Sequence, residues 1–278
     1  MSTPWRYASL LPVILMTGCV ATTPTYQSDH SKAYNIAQAA GMWRAEDFEA
    51  TKDQGTDLAS ASFDIITGTA AFNTPHGLGL SLGKAAGLSV LSFMFSPPAQ
   101  MERDTVLAWL PQSQANDPEE ATQILANTLF EASIATLEEH GYPYDIEYRD
   151  RRRHALFDPY LESLVNFTNE DKTCAFRYEL FPGEVSDLAP VPEFILPASQ
   201  GYRFWAAHDI RYPKYWIHCT DAEPTENLTL VAEVSHRLPA GVFLYVAPKG
   251  SRRENNQTPP LVLDHGKALL FIEPLPTT

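Results

Sequence analysis

The spacing of apolar residues changes several times along this chain, and each change marks an element. Residues 7–16 form a mostly apolar stretch, too short to span a membrane as a stable helix. Residues 20–31 (Val-Ala-Thr-Thr-Pro-Thr-Tyr-Gln-Ser-Asp-His-Ser) are small, polar and aperiodic, the composition of a tether reaching about 20 Å. Residues 32–50 are helix-prone, with Ile36, Ala40 and Trp43 on one side and an interruption at Gly41. Residues 59–95 carry only Asp64 and Lys84 as charges and turn around Asn73-Thr-Pro-His-Gly77, which predicts a buried helical hairpin. In its second arm Gly79, Gly83 and Gly87 are spaced by four, so on a helix they line one smooth groove for another backbone. Residues 77–95 are also long enough to cross a bilayer, but Lys84 near their middle is costly there.

Residues 106–110 alternate as a strand, and a loop leads to Asp117-Pro118-Glu119-Glu120. Aspartate as N-cap, proline at the first helical position and acids in the first turn make a strong helix start. The helix is expected to reach Glu139 and stop at Gly141. Ala121, Ile124, Leu125, Leu129, Ala132 and Ala135 gather on one side of it. Ala126, Phe130, Ile134 and Leu137 gather on the other, with Glu120, Asn127, Glu131 and Glu138 between. Two apolar faces predict burial between two layers, a sheet and the glycine-rich hairpin. With residues 145–148 as the next strand, this reads as one βαβ-like unit. From about Thr173 onward the pattern is β-rich. Residues 227–236 and 241–248 read as strands, and 260–262 with 268–273 as a hairpin around Asp264-His265-Gly266. Prolines punctuate 182–197 and mark a long exposed connection.

The N-terminal stretch ends in Leu15-Met16-Thr17-Gly18-Cys19 behind a weakly positive start with Arg6, the layout of a secretory signal peptide. This ending resembles the lipobox of bacterial lipoproteins. The resemblance covers about the first twenty residues and no more. It implies that Cys19 is acylated and becomes the first residue of the mature chain. Valine rather than aspartate at position 20 resembles lipoproteins sorted to the outer membrane, which implies a lipid anchor there and a body facing the periplasm. Of the three cysteines, Cys174 and Cys219 then remain in an oxidising compartment. Cys174 shares a strand face with Phe176, Tyr178 and Leu180, and Cys219 shares one with Tyr215 and Ile217, so both are expected to point to a core and pair. Two free buried thiols are the alternative.

Composition narrows the remaining choices. Hydrophobic content of 44% and aromatic content of 11% suit a globular chain with a proper core. A formal net charge of -14 repels phosphate backbones and argues against nucleic-acid binding. The sharpest catalytic string is Gly79-Leu-Ser-Leu-Gly83, a match to G-x-S-x-G that would make Ser81 the nucleophile of a hydrolase. The turn before it, in place of a buried strand, argues against that context. Histidines 76, 140, 154, 208, 218, 236 and 265 show no metal-ligand spacing, so neither a metal nor a cofactor is expected.

Two patches suit binding better. Tyr202, Arg203, Trp205, Arg211, Tyr212 and Trp216 interleave aromatic and basic groups, a pattern that stacks on glycans or anchors a protein. Core burial of the same aromatics beside Cys219 is the plainer account. Arg149, Arg151, Arg152 and Arg153 form a basic island that could meet lipid phosphates, or could pair with local acids such as Asp150. The expected architecture is α+β. A signal peptide (1–18) and a lipid anchor with tether (19–31) precede a helical and glycine-rich region (32–141) packed on the βαβ-like unit. A β-rich, mainly antiparallel part follows (142–278). The expected role is a non-catalytic binding or assembly component of the envelope, held to the membrane by its N-terminal lipid, with an envelope protein or a glycan as partner. The alternatives are a lipid-anchored hydrolase using Ser81, and oligomerisation or membrane insertion through Gly79, Gly83 and Gly87.

Overall fold

The computed structural model describes residues 23–48, 62–64, 69–71, 103–152, 160–169, 172–206, 213–220, 224–248 and 259–274. Its helices are α1 (Lys32–Ala39), α2 (Pro118–His140) and α3 (Pro224–Arg237). The strands are β1 (Ser62–Asp64), β2 (Thr69–Ala71), β3 (Thr105–Pro111), β4 (Tyr144–Arg152), β5 (Tyr160–Asn169) and β6 (Lys172–Leu180). They continue with β7 (Ala189–Pro190), β8 (Gln200–Phe204), β9 (Lys214–Cys219), β10 (Val242–Val246), β11 (Leu261–Asp264) and β12 (Lys267–Leu270). All belong to one sheet, ordered β2-β1-β12-β11-β10-β3-β9-β6-β5-β4, with β8 also on β3 and β7 on β8. The pairings between these strands are antiparallel. The protein is therefore mixed α+β with a dominant antiparallel sheet, and the sheet draws strands from both sides of residue 141.

Its centre has a simple logic. β3 and β4 run parallel and are joined through α2, but β9, β6 and β5 lie between them. β9 and β10 also run parallel, are joined through α3, and enclose β3. These are two split β-α-β crossovers. They travel in opposite directions along the sheet from strands of opposite sense, so a common right hand puts both helices on one face. Both helices do pack there: Leu125, Leu129 and Leu137 of α2 and Leu228, Val231 and Val234 of α3 share a cluster with Val106, Val165, Phe176, Tyr178 and Leu244.

Helix α2 begins and ends where its local chemistry directs. The Asp117 carboxylate accepts from Glu120 N, Pro118 occupies the first turn, and Gly141 closes the helix at φ 67. Part of its surface packs on α3; the glycine-rich hairpin expected on its second apolar side lies largely outside the described residues. His140 Nε2 reaches Glu233 at 2.5 Å and Arg237 pairs with Glu139, tying the two helices together. Ser133 of α2 meets the buried Tyr178 hydroxyl of β6 at 2.5 Å. Residues 227–236 are thus helical, not a strand, which corrects the sequence expectation. Leu228, Leu230, Ala232 and Val234 do alternate, yet Leu228, Val231, Ala232 and Ser235 follow helical spacing, and both sets are buried. A helix packed against α2 on one side and the sheet on another buries most of its surface, which erases the difference in period.

The opposite sheet face is covered over β3 and β10–β12. There Leu107, Trp109, Phe243, Tyr245, Val262 and Phe271 meet Ile36 and Ala37 of α1, with Met42 and Phe48 beyond it. Val191, Ile195 and Leu196 complete that layer, so the proline-rich connection is partly core and not simply exposed. Ser31 caps α1, its hydroxyl accepting from Tyr34 N, and the helix stops at Ala39 before Gly41 at φ 87. Because the helix ends there, Trp43 does not continue the face of Ile36 and stands 53% exposed. Lys32 pairs with Asp264 at 2.8 Å, and Phe48 bridges Ile272 beyond the last strand.

Candidate functional site

Cys174 and Cys219 are disulfide-bonded. They face each other in the β6–β9 register, one step from Thr173 and Thr220, whose backbone N–H and C=O pair at 3.0 Å. That makes the cysteines a non-hydrogen-bonded pair, where facing side chains come closest. Both point into the core shared with α2 and α3, as their strand faces predicted.

On the sheet face opposite this core, β5, β6 and β9 carry a row of charges that no local pattern announces. Arg149 stands opposite Glu162, Glu162 opposite Glu179, and Glu179 opposite Lys214. β5, β6 and β9 thus contribute minus, minus and plus along a single cross-strand line. Two carboxylates directly opposite one another repel. Arg177, one row over, answers this: its Nη2 lies 2.7 Å from Glu162 Oε1 and 3.1 Å from Glu179 Oε1. Its guanidinium also lies 4.6 Å over the ring of Trp216, which faces it in register. Lys214 Nζ completes the set at 3.4 Å from Glu179. The Glu162 side chain is 0% exposed and that of Glu179 12%. A close carboxylate pair is what glycosidases use, but here a guanidinium occupies the space between the acids. The arrangement balances charge across β5, β6 and β9 and ties these three strands together.

The aromatic–basic segment divides. Tyr202 points with Phe204 into the core beneath α2 and is 3% exposed, so it is not a surface residue. Arg203 and Trp205 point to the α1 side, where the guanidinium lies 3.3 Å over the indole ring. Arg203 Nη1 donates to Ala39 O at 3.4 Å, at the end of α1 where the helix dipole favours a cation. Burial pushes this guanidinium down to about 10, still a cation at neutral pH. A Cβ on Gly41 would sit 2.6 Å from the Trp205 ring, so glycine is required there by contact as well as by conformation. Both groups stand at a break in a strand. Phe204 faces Ala108 and Lys214 faces Thr105, so β3 advances three residues while its partner line advances ten. The chain leaves the sheet at this point, Ala206 N donating to Ala40 O at 2.9 Å, and returns at Pro213, whose carbonyl accepts from Val106 N. Insertions that interrupt a ladder occur often beside functional sites.

One constellation escaped the sequence reading. Asp47 accepts from Ser31 Oγ at 2.6 Å, from Ser31 N at 2.8 Å and from His30 Nδ1 at 3.1 Å, with a side chain 0% exposed. These are the residue types of a hydrolytic triad in the wrong connectivity. The serine proton goes to the aspartate, its oxygen caps α1, and His30 bonds Asp47 instead of Ser31. The set fastens the N-terminal segment to α1, and Asn35 extends the work: Gln27 N donates to its Oδ1, and its Nδ2 donates to Gln27 O. No spacing rule links Asp47 to residues this far back along the chain.

The remaining candidates fall partly outside the described residues. Cys19, Gly79, Ser81, Gly83, Gly87, Arg153, Arg211 and Tyr212 lie there. Arg149, Arg151 and Arg152 belong to β4, with a register shift between Arg149 and Arg152. Among the described residues no group of three or more His, Cys, Asp or Glu is placed to hold a metal ion, and no helix is long and apolar enough to cross a membrane. Comparison with family models finds no match, and comparisons with curated proteins and with solved structures find none either.

Proposed function

We propose that this chain is a lipid-anchored envelope protein at the outer membrane, facing the periplasm and working as a non-catalytic binding or assembly component. The observation that carries the reading is the string Leu15-Met16-Thr17-Gly18-Cys19 directly behind an apolar stretch. The bonded pair Cys174–Cys219 is what an exported chain carries in an oxidising compartment. The cluster at Ser31 holds the N-terminal segment to α1, and Arg177 forms ion pairs with Glu162 and Glu179 between strands, roles that favour binding over catalysis. The partner is an envelope protein or a glycan.

The test is metabolic labelling with an alkyne fatty acid, followed by fractionation. Wild type should carry the label and sediment with membranes, and Cys19→Ala should lose the label and become soluble. An unlabelled wild-type chain in the soluble fraction would refute the anchor. Crosslinking in intact envelopes then identifies what the body touches. An activated-ester probe that marks wild type but not Ser81→Ala would replace the binding role with hydrolysis.

A further inference from the structure

We infer that the body docks on the bilayer by its α1 face, with Trp43 at the headgroup layer and the α2–α3 face turned away. This rests on the proposed acylation of Cys19 and adds an orientation to it. The folded body begins earlier than the polar composition of residues 20–31 suggests. Tyr26 packs edge-on against Phe194 at 5.4 Å, and Phe194 belongs to the layer around α1. Gln27 is held by Asn35, and Ser31 by Asp47. Six residues therefore separate Cys19 from Tyr26.

That length favours one face over the other. Seven residue steps reach at most about 25 Å when fully extended, and about 15 Å on average. A helix, a sheet and a second helix layer stack to about 30 Å across. If the α2–α3 face lay on the bilayer, the connection would have to be fully extended to reach Tyr26, well beyond its average span of about 15 Å. The surface chemistry agrees. Exposed large hydrophobic side chains among the described residues are Tyr26, Trp43, Ile146 and Leu188, and two of them lie in the segment around α1. Trp43 is 53% exposed, with Arg44 4.6 Å over its ring, and Tyr26 is 44% exposed. Tryptophan, tyrosine and arginine are the side chains that settle at a membrane interface. The outer side of α2 shows the reverse, with Glu119, Glu120, Glu131, Glu138 and Glu139 exposed and no Lys or Arg in the helix. An anionic lipid surface repels that side.

The experiment uses full-length protein in vesicles of phosphatidylethanolamine and phosphatidylglycerol carrying a lipid-borne energy acceptor. A cysteine replaces Glu46 beside Trp43 in one variant and Glu131 on α2 in another. With Cys174 and Cys219 bonded and Cys19 acylated, the introduced thiol alone takes the dye. Mass spectrometry first establishes acylation of Cys19. Transfer from position 46 should exceed that from position 131 by about twofold or more, given layers about 20 Å apart. Tryptophan quenching by brominated lipid should be present in wild type and lost in Trp43→Phe. Equal transfer from both positions, or more from 131, on an acylated chain overturns the orientation and leaves the anchor standing. A chain with no acyl group on Cys19 overturns both.

Discussion

Replacing Arg177 with methionine isolates the force that organises the charged half of the sheet. The substitution keeps the packing stem over Trp216 and removes the charge. Glu162, whose side chain is 0% exposed, then faces Glu179 directly with no guanidinium 2.7 Å and 3.1 Å from their oxygens. At an effective dielectric of about 20, each contact is a gross attraction of about 5–6 kcal/mol, most of it offset by the cost of taking the charges out of water. Removing one member of such a set costs about 3–5 kcal/mol, because the remaining charge stays buried. Arg177 is itself 32% exposed, which places the expectation near the lower end, about 3 kcal/mol. Urea unfolding at neutral pH, followed by far-ultraviolet circular dichroism, should show a midpoint about 1 M lower for a slope of 2–3 kcal/mol/M. A second substitution, Glu162→Gln, should recover about 2 kcal/mol, since it removes the repulsion with Glu179. The loss should persist in molar salt, because buried charges are poorly screened. A cost below about 1 kcal/mol, or a double variant no more stable than Arg177→Met alone, would refute the claim that this guanidinium offsets two opposed carboxylates.

Two further outcomes follow from the core. Changing both Cys174 and Cys219 to alanine opens a link across 45 residues and should cost about 4 kcal/mol by loop entropy, read as a lower urea midpoint of the unreduced protein; an unchanged midpoint would contradict it. Tyr178, Tyr215 and Tyr245 are buried, and burial first of all raises all three phenols in the folded state. Their protonated forms are thus favoured by folding, so this stability is fully present below the ordinary phenol value of about 10 and is lost as pH climbs above it. Each can remove about 1.4 kcal/mol per pH unit in that range. Alkaline unfolding should coincide with a cooperative rise in tyrosinate absorbance, and early independent titration of these phenols would show them accessible.

What could be read from sequence was set by how local its cause is. Helix α2 was legible at both ends because Asp117, Pro118 and Gly141 act within a turn of themselves. The cysteine pair was legible because alternation in β6 and β9 puts both side chains on one face. Helix α3 was misread because its two-sided burial gives strand and helix periods the same apolar positions. Strand β5 was missed altogether, although it provides Glu162. The charge row depends on the register of three strands, β9 being far from β5 and β6 in the chain, and no window of sequence contains it. Trp43 followed the apolar pattern only while the helix was assumed to pass Gly41. For the aromatic–basic segment, strand alternation separates the buried Tyr202 from the outward Arg203 once β8 is known.

The bridge between Phe48 and Ile272 imposes an order on the making of this molecule. Phe48 N donates to Phe271 O and Glu273 N to Phe48 O, each at 2.9 Å, and β1 pairs with β12 nearby. More than two hundred residues separate these partners. At about 5–20 residues per second, the early segment waits tens of seconds for the strand that completes it. During that wait Ile36, Met42 and Phe48 have no sheet to cover, and the chain remains threadable. A late element thus locks an early one, so removing β12 should release α1 as well.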